Sequence, residues 1–345
     1  MHYAFYAGVT PLTSRVFGGA NPPTFRPEDG EVALDEATLQ LLRVMSSDPN
    51  AVPLTELEPQ QARAVSATRA QLFAPGPELP ESRDFRLPVA GGDGIQMRIH
   101  VPKARAHSVV LYLHGGGWVL GSIDAYDAMA RHLAVDSGAT VVLAEYRKAP
   151  EHPFPIPVDD CWEAWQWVLE NAQQLAAPDA KLYLAGDSAG GNLAAVTARK
   201  ARDSGGAKPD GQILIYPVTD HDLGRGSYLE PENQTLLPVE AMEYFWGYYV
   251  PDPGERSHPD ASPIRCGDFS GLAPALVITA EHDVLRDEGE HYASELSRAG
   301  VPVQQVCWPG QMHGFIQMTG VLPASLEATG YIANYISNLS TIESE

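Results

Sequence analysis

The sequence is poor in cysteine, in basic residues and in long apolar runs. Its 345 residues include three cysteines, Cys161, Cys266 and Cys307, which are too few and too widely spaced for a disulfide framework or a CxxC metal site. The 23 Lys and Arg stand against 44 Asp and Glu, and this net charge of −21 excludes nucleic-acid binding through a basic surface. No run reaches about 18 consecutive apolar residues, so the sequence predicts no transmembrane helix and no integral membrane protein.

The rest of the composition is typical of a globular protein. Hydrophobic residues make up 44% of the chain and charged residues 19%, which leaves enough apolar surface for a large core. The first residues lack the basic start of a signal peptide, and Pro11 and Arg15 interrupt them. We therefore expect a cytoplasmic protein in a reducing compartment.

Short runs rich in valine, isoleucine and leucine alternate with helical patterns from about residue 85 onwards. Such runs are typical of strands that are buried on both faces of a parallel sheet covered by helices. The predicted strands are residues 85–89, 96–101, 109–114, 140–146, 181–187, 212–217, 275–280 and 303–308. Helical patterns lie at about 124–136, 158–172, 189–203, 287–299 and 323–339. The predicted fold class is α/β, with a mostly parallel, doubly wound sheet.

Two regions fall outside this alternation. Helical patterns from about Asp35, and from Thr55 with Glu58 in capping-box spacing, precede every predicted strand and are expected to form a separate layer. Between Tyr216 and Ser270 the segment is rich in proline and aromatics, and a structureless stretch of that length is uncommon in a compact domain. We predict an N-terminal extension with cap helices over 1–80, a catalytic core over 81–217 and 271–345, and a cap insertion over 218–270.

The segment Gly186-Asp187-Ser188-Ala189-Gly190 lies between a predicted strand and a predicted helix. A GxSxG pattern at such a junction is typical of a nucleophile elbow, in which the serine is strained and the glycines leave room for the strand and the helix. An ordinary tight turn is the alternative, because the pattern also occurs by chance. The junction favours Ser188 as a nucleophile, and Asp187 is expected to brace the elbow.

A second glycine-rich segment, His114-Gly115-Gly116-Gly117-Trp118, follows another predicted strand. Three glycines allow the backbone to approach a substrate and to point N–H groups at a developing oxyanion. A turn without a ligand is the alternative, whereas a nucleotide phosphate loop does not fit the spacing. With the elbow downstream, an oxyanion hole is favoured, and His114 is expected to order its loop by hydrogen bonding.

A serine nucleophile requires a base and a group that orients the base. Asp283 follows the predicted strand 275–280 and His313 follows 303–308, so both lie at carboxyl ends of strands, where open α/β sheets bind ligands. His282 is the alternative base and Asp287 the alternative acid. Neither HExxH nor a comparable spacing supports a metal site, so we expect no metal.

Five motifs occur in order along the chain: HGGGW, EYRKAPEHPFP, GDSAGGN, HDVLRDEG and MHGF. With them the chain resembles the hormone-sensitive-lipase family of α/β-hydrolases, and more narrowly its bacterial esterases of the GDSAG kind, from about residue 80 to 335. The resemblance implies an eight-stranded, mostly parallel sheet flanked by helices and covered by a helical cap. It also implies hydrolysis of carboxylic esters with short to medium acyl chains, without a cofactor.

The resemblance further implies roles for single residues. Ser188 is then the nucleophile, His313 the general base and Asp283 its orienting acid. The oxyanion hole is then formed by the backbone N–H groups of Gly116, Gly117 and Ala189. The implied partner is a small-molecule ester, and related enzymes suggest a homodimer. An amidase, lactonase or deacetylase on the same triad, or a non-catalytic small-molecule receptor, stays open.

Aromatic side chains near these motifs are candidates for an apolar wall of the substrate pocket. The predicted wall residues are Trp118, Tyr216, Phe245, Trp246 and Phe315. The alternative is that these aromatics belong to the core, because aromatic stripes at helical spacing are most often buried there.

Overall fold

Eight strands form one sheet in the computed structural model, which describes residues 33–47, 52–70, 74–102 and 105–341. The strands are β1 (Glu81–Leu87), β2 (Ile95–Val101), β3 (Ser108–Leu113), β4 (Thr140–Glu145), β5 (Lys181–Asp187), β6 (Gly211–Ile215), β7 (Ala275–His282) and β8 (Val303–Met312). Their order is β1-β2-β4-β3-β5-β6-β7-β8. β2 runs antiparallel to both of its neighbours, and all other pairs are parallel. All eight predicted strands are therefore confirmed.

Nine α-helices occur within the described residues. They are α1 (Glu36–Ser46), α2 (Pro59–Ala70), α3 (Asp127–Ser137), α4 (Ile156–Leu175), α5 (Ala189–Asp203), α6 (Gly226–Leu229), α7 (Val239–Tyr249), α8 (Arg286–Arg298) and α9 (Pro323–Thr341). A 3₁₀ turn at Leu54–Glu56 comes before α2, so the second N-terminal helix begins later than the capping-box spacing predicts. No helix of the described residues is long and apolar enough to cross a membrane.

Helices cover both faces of the sheet, and this explains the near-continuous apolar strands. Alternate residues of β3 belong to two separate core clusters, with Val109 and Leu111 in one and Val110 and Tyr112 in the other. The first cluster includes residues of α4, α5 and α8, and the second includes residues of α3 and α9. The α/β fold class with a doubly wound sheet is thus confirmed.

Two parts of the chain lie outside this layered arrangement. The N-terminal helices, α1 and α2, precede the sheet, and the insertion, residues 218–270, carries α6 and α7 between β6 and β7. The predicted division of the chain at residues 80, 217 and 270 stays a prediction, and its first 32 residues lie outside the described part.

The sheet topology brings four loops together at one edge. Gly115 follows β3, Ser188 follows β5, Asp283 follows β7 and His313 follows β8. These strands are parallel to one another, so their carboxyl ends meet at the same edge, where ligands of open α/β sheets bind.

Candidate active site

Ser188 forms a sharp turn between β5 and α5. Its φ of 54° and ψ of −120° lie in a region of backbone angles that residues other than glycine rarely adopt. The turn is possible because its glycine neighbours have no side chains: a Cβ on Gly190 would lie 1.9 Å from the carbonyl oxygen of Leu113. The strand–turn–helix context that the sequence predicts for Ser188 is therefore present.

A row of hydrogen bonds joins Ser188, His313 and Asp283. The imidazole Nε2 of His313 lies 3.0 Å from the Ser188 Oγ, and its Nδ1 lies 2.7 Å from the Asp283 Oδ2. Because an ionised carboxylate can only accept hydrogen bonds, the Nδ1–H of His313 donates to Asp283, which leaves Nε2 to accept the serine proton. The other carboxylate oxygen, Asp283 Oδ1, accepts a hydrogen bond of 2.9 Å from the backbone N–H of Leu285. Such a row can activate a serine hydroxyl.

The rival residues of this region have other positions. His282 is buried at the end of β7, and the ring between the serine and the acid belongs to His313. The Asp287 carboxylate accepts a 2.8 Å hydrogen bond from the Ser227 N–H and lies 3.1 Å from the Arg286 guanidinium. Within the ranges that the structure covers, no group of three or more His, Cys, Asp or Glu side chains is arranged to hold a metal ion.

The glycine-rich loop after β3 lies beside the elbow. Its residues Gly116 and Gly117 have φ angles of 117° and 60°, which favour glycine. Ala189 begins α5, where the first backbone N–H groups have no acceptor within the helix and carry its positive end. His114 Nδ1 lies 2.8 Å from the Gly115 carbonyl oxygen, as expected for a side chain that orders its own loop.

Asp187 joins this loop to the elbow. Its buried carboxylate accepts hydrogen bonds from the Tyr112 hydroxyl (3.0 Å), the Tyr126 hydroxyl (2.7 Å) and the Gly115 N–H (2.9 Å). Burial raises the pKa of Asp187 to about 6, although these hydrogen bonds act in the opposite direction. The bracing role predicted for Asp187 extends to the glycine loop, and sequence reasoning missed its two tyrosine partners.

Comparison with known proteins gives the family. The sequence model of a family described as having the alpha/beta hydrolase fold matches residues 110–317, which is more than half of the chain. The chain belongs to the α/β hydrolases.

Named α/β hydrolases resemble the chain over most of its length. Carboxylesterase NlhH of Mycobacterium tuberculosis is 41% identical over 286 residues, which cover 81% of this chain and 89% of the relative. Ethyl acetate hydrolase of Pseudomonas putida is 36% identical over 292 residues, which cover 83% of this chain and 92% of the relative. The solved structure of a hyperthermophilic esterase from the archaeon Pyrobaculum calidifontis matches with a TM-score of 0.83 and 37% identity, over 89% of this chain and 99% of that one.

A cavity of about 730 Å³ opens in front of Ser188 and His313 in this α/β hydrolase. The N-terminal helices and the turn between them contribute aliphatic side chains to it, among them Leu41, Leu42, Met45, Leu54, Leu57 and Val65. The insertion contributes further apolar side chains, among them Leu236, Leu237, Ala241, Met242 and Phe245. The sequence signal for the first group is the apolar spacing of α1 and α2, which indicates a buried face without showing what that face covers.

One of the five aromatics predicted for the wall, Phe245, lines this cavity. Its ring lies against the glycine-rich loop after β3, since a Cβ on Gly117 would be 2.3 Å from ring atoms. The other four are fully or almost fully buried and absent from the lining, and a substrate contact for them stays a prediction. These are Trp118, Tyr216, Trp246 and Phe315.

These four aromatics pack into the core beside the site. Trp118 stacks on Tyr249 with ring centroids 4.1 Å apart, and Trp246 lies 5.0 Å from Trp118. Tyr216 packs on the imidazole of His313 and lies 5.9 Å from Phe315. These large aromatic surfaces pack behind the cavity walls and stabilise them. In the sequence, such core aromatics look the same as rings that face a substrate.

One arginine attaches the helix α2 next to the glycine-rich loop after β3. Arg63 pairs with Glu151 at 2.6 Å and donates hydrogen bonds to the carbonyl oxygens of Val119 (2.8 Å) and Ala149 (2.7 Å). One wall of the cavity is therefore attached to the loops that follow β3 and β4.

Proposed function

We propose that this α/β hydrolase is a serine carboxylesterase of the GDSAG kind, acting on esters with short to medium acyl chains. The chain is a carboxylic ester hydrolase, as the names of its relatives indicate. The observation that carries the finer proposal is the hydrogen-bonded row of Ser188, His313 and Asp283 facing an apolar cavity. A homodimer and a cytoplasmic location stay predictions.

Acylation begins when the Ser188 Oγ attacks the ester carbonyl while His313 Nε2 takes the hydroxyl proton. Asp283 holds the Nδ1–H and stabilises the imidazolium that forms. The carbonyl oxygen becomes negative and receives hydrogen bonds from the backbone N–H groups of the oxyanion hole. These donors are Gly116, Gly117 and Ala189, and one donor of this type contributes about 3 kcal/mol to the transition state.

Collapse of the tetrahedral intermediate breaks the bond to the alcohol, which leaves with the proton from His313. Water then attacks the acyl group on Ser188, and His313 takes a proton from that water. A second collapse releases the carboxylic acid and restores the serine hydroxyl. No cofactor is needed because the side chains supply every proton transfer.

The cavity walls favour substrates that are apolar on both sides of the ester. Their aliphatic side chains bury acyl or alcohol carbons at about 25 cal/mol per Å² of apolar surface removed from water. Phe245 limits the space beside Gly117, which favours short chains.

The central test compares hydrolysis of p-nitrophenyl esters from acetate to palmitate by the natural protein and by Ser188→Ala. We expect a short- to medium-chain optimum and a loss of about 10⁶-fold in kcat for the variant, since it lacks the attacking oxygen. Ser137→Ala is the matched control, because Ser137 lies at the end of α3 and its hydroxyl contacts only the backbone of Leu133 and Ala139. Equal rates of ester hydrolysis by Ser188→Ala and Ser137→Ala would contradict the proposal.

Replacing Phe245 by alanine should shift the preference toward longer acyl chains. The ring occupies space on the cavity wall next to Gly117, and its removal leaves room for further methylene groups. We expect the ratio of kcat/KM for octanoate over butyrate to rise about ten-fold or more. Tyr248→Ala is the control on the same helix, since Tyr248 is absent from the lining. An unchanged chain-length profile would contradict the role of Phe245.

A further inference from the structure

Tyr216 occupies an unusual place directly after β6. Its φ of 33° lies in the left-handed region, which tyrosine rarely adopts. Its side chain is fully buried and lies outside the substrate cavity. The ring centroid is 4.6 Å from that of His313, and the two planes make an angle of 56°. A strained backbone thus holds an aromatic ring against the imidazole.

The segment from Tyr216 to Thr219 contacts Ser188, the strand that leads to Asp283, and the imidazole of His313. The Tyr216 N–H donates to the carbonyl oxygen of Ile278 (2.5 Å), in the strand that leads to Asp283. The Val218 N–H donates to the carbonyl oxygen of Ser188 at 3.2 Å. The ring of Tyr216 then reaches the His313 loop. This segment therefore links the nucleophile, the acid-bearing strand and the base.

A buried carboxyl group holds the far end of the segment. Glu288, in the first turn of α8, accepts hydrogen bonds from the Thr219 N–H (2.6 Å) and the Tyr228 hydroxyl (3.1 Å). The Thr219 hydroxyl in turn donates to the Glu288 carbonyl oxygen at 3.0 Å. Because both ends are bound, the segment cannot relax easily to an unstrained backbone.

We propose that Tyr216 is a positioning residue for His313, whose ring it holds in the plane that aligns Ser188 with Asp283. The inference rests on the proposed function. His313 makes one hydrogen bond at each ring nitrogen, and these two bonds still allow the ring to tilt about the line between them. The Tyr216 ring packs against the imidazole, with centroids 4.6 Å apart and planes at 56°, and restricts that tilt.

The test replaces the ring while keeping a buried apolar side chain. For Tyr216→Leu we expect kcat to fall about ten- to a hundred-fold with KM within about three-fold, because alignment is lost and substrate contacts are not. Tyr216→Phe keeps the ring and should restore kcat.

Tyr335→Leu is the matched control, because Tyr335 is a buried tyrosine of the same core cluster, on α9. It should lower the melting temperature while kcat stays near that of the natural protein. If Tyr216→Leu does not fold, Tyr216→Met provides the same test with an unbranched side chain. A kcat like that of the natural protein in the Leu or Met variant would overturn the proposal, as would an equal loss of kcat in Tyr335→Leu.

Measurements on the natural protein distinguish a failure of the proposed esterase function from a failure of the positioning role of Tyr216. If it shows no Ser188-dependent turnover of p-nitrophenyl butyrate, the proposed function itself fails. If it turns over the ester and the Tyr216 variants match it, the esterase remains and only the positioning role fails. A loss in Tyr216→Phe as large as in Tyr216→Leu would also overturn the proposal, because the hydroxyl would then carry the effect.

Discussion

Replacing Asp283 by asparagine is expected to lower kcat by about 10⁴-fold while KM changes by only a few-fold. The carboxylate accepts the Nδ1–H of His313 at 2.7 Å and is fully buried. An asparagine of the same shape removes the negative charge and favours the imidazole tautomer with its proton on Nε2, which cannot accept the serine proton. The measurement is the steady-state rate with p-nitrophenyl butyrate on protein with an unchanged circular dichroism spectrum.

Asp287→Asn is the matched control for this prediction. The two carboxylates are four positions apart, and Asp287 binds Ser227 and Arg286 instead of a histidine. We expect its kcat to stay within about ten-fold of the natural value, since an amide oxygen can still accept the Ser227 N–H. A larger loss of kcat in Asp287→Asn than in Asp283→Asn would show that Asp283 is not the orienting acid.

Gly190→Ala should abolish activity and strongly destabilise the protein. Its Cβ would lie 1.9 Å from the Leu113 carbonyl oxygen and 2.6 Å from that of His114. Both contacts are with backbone atoms at the end of β3, so α5 or the strand must move. We expect the free energy of unfolding to fall by about 3 kcal/mol or more. The glycine-rich loop of the proposed oxyanion hole follows these two residues directly, so kcat should fall together with the stability.

The control for this steric prediction is Gly330→Ala. Gly330 lies within α9, and a Cβ there meets no atom within 4 Å. Alanine is the better helix former, so stability should rise by about 0.5–1 kcal/mol with unchanged kcat. Thermal or urea unfolding of the two variants gives the comparison. A Gly190→Ala protein as stable and active as the natural one would disprove the close approach of α5 and β3.

The sheet could be predicted from sequence because most of its strands are apolar on both faces. β3 and β6 are buried along their whole length, and their signal is a short continuous apolar run, VVLYL in β3 and ILI in β6. The edge strand β1 was predicted at 85–89 and lies at Glu81–Leu87, since its first residues are exposed and charged. Pro88 ends it because proline cannot donate to the neighbouring strand.

The candidate triad was found in sequence because each member lies in a short motif at a strand end. The wall of the cavity was mostly missed, since a buried aromatic produces the same pattern whether it faces a substrate or the core. The partners of Asp187 were missed for another reason. Tyr112 and Tyr126 are 75 and 61 residues away from it, and the pairing exists only once the sheet has formed.

The cavity has walls from two widely separated parts of the chain, the N-terminal helices and the insertion. A molecule that fills it contacts both parts, so its binding free energy adds to the docking of α1 and α2 on the sheet. Outside the cavity, α2 is attached through Arg63 and α1 through the Asp35 N–H, which donates to the Gly310 carbonyl oxygen at 3.0 Å. Amide hydrogens of these helices should therefore exchange with solvent more slowly once a ligand fills the cavity, while those of the central strands keep their rate.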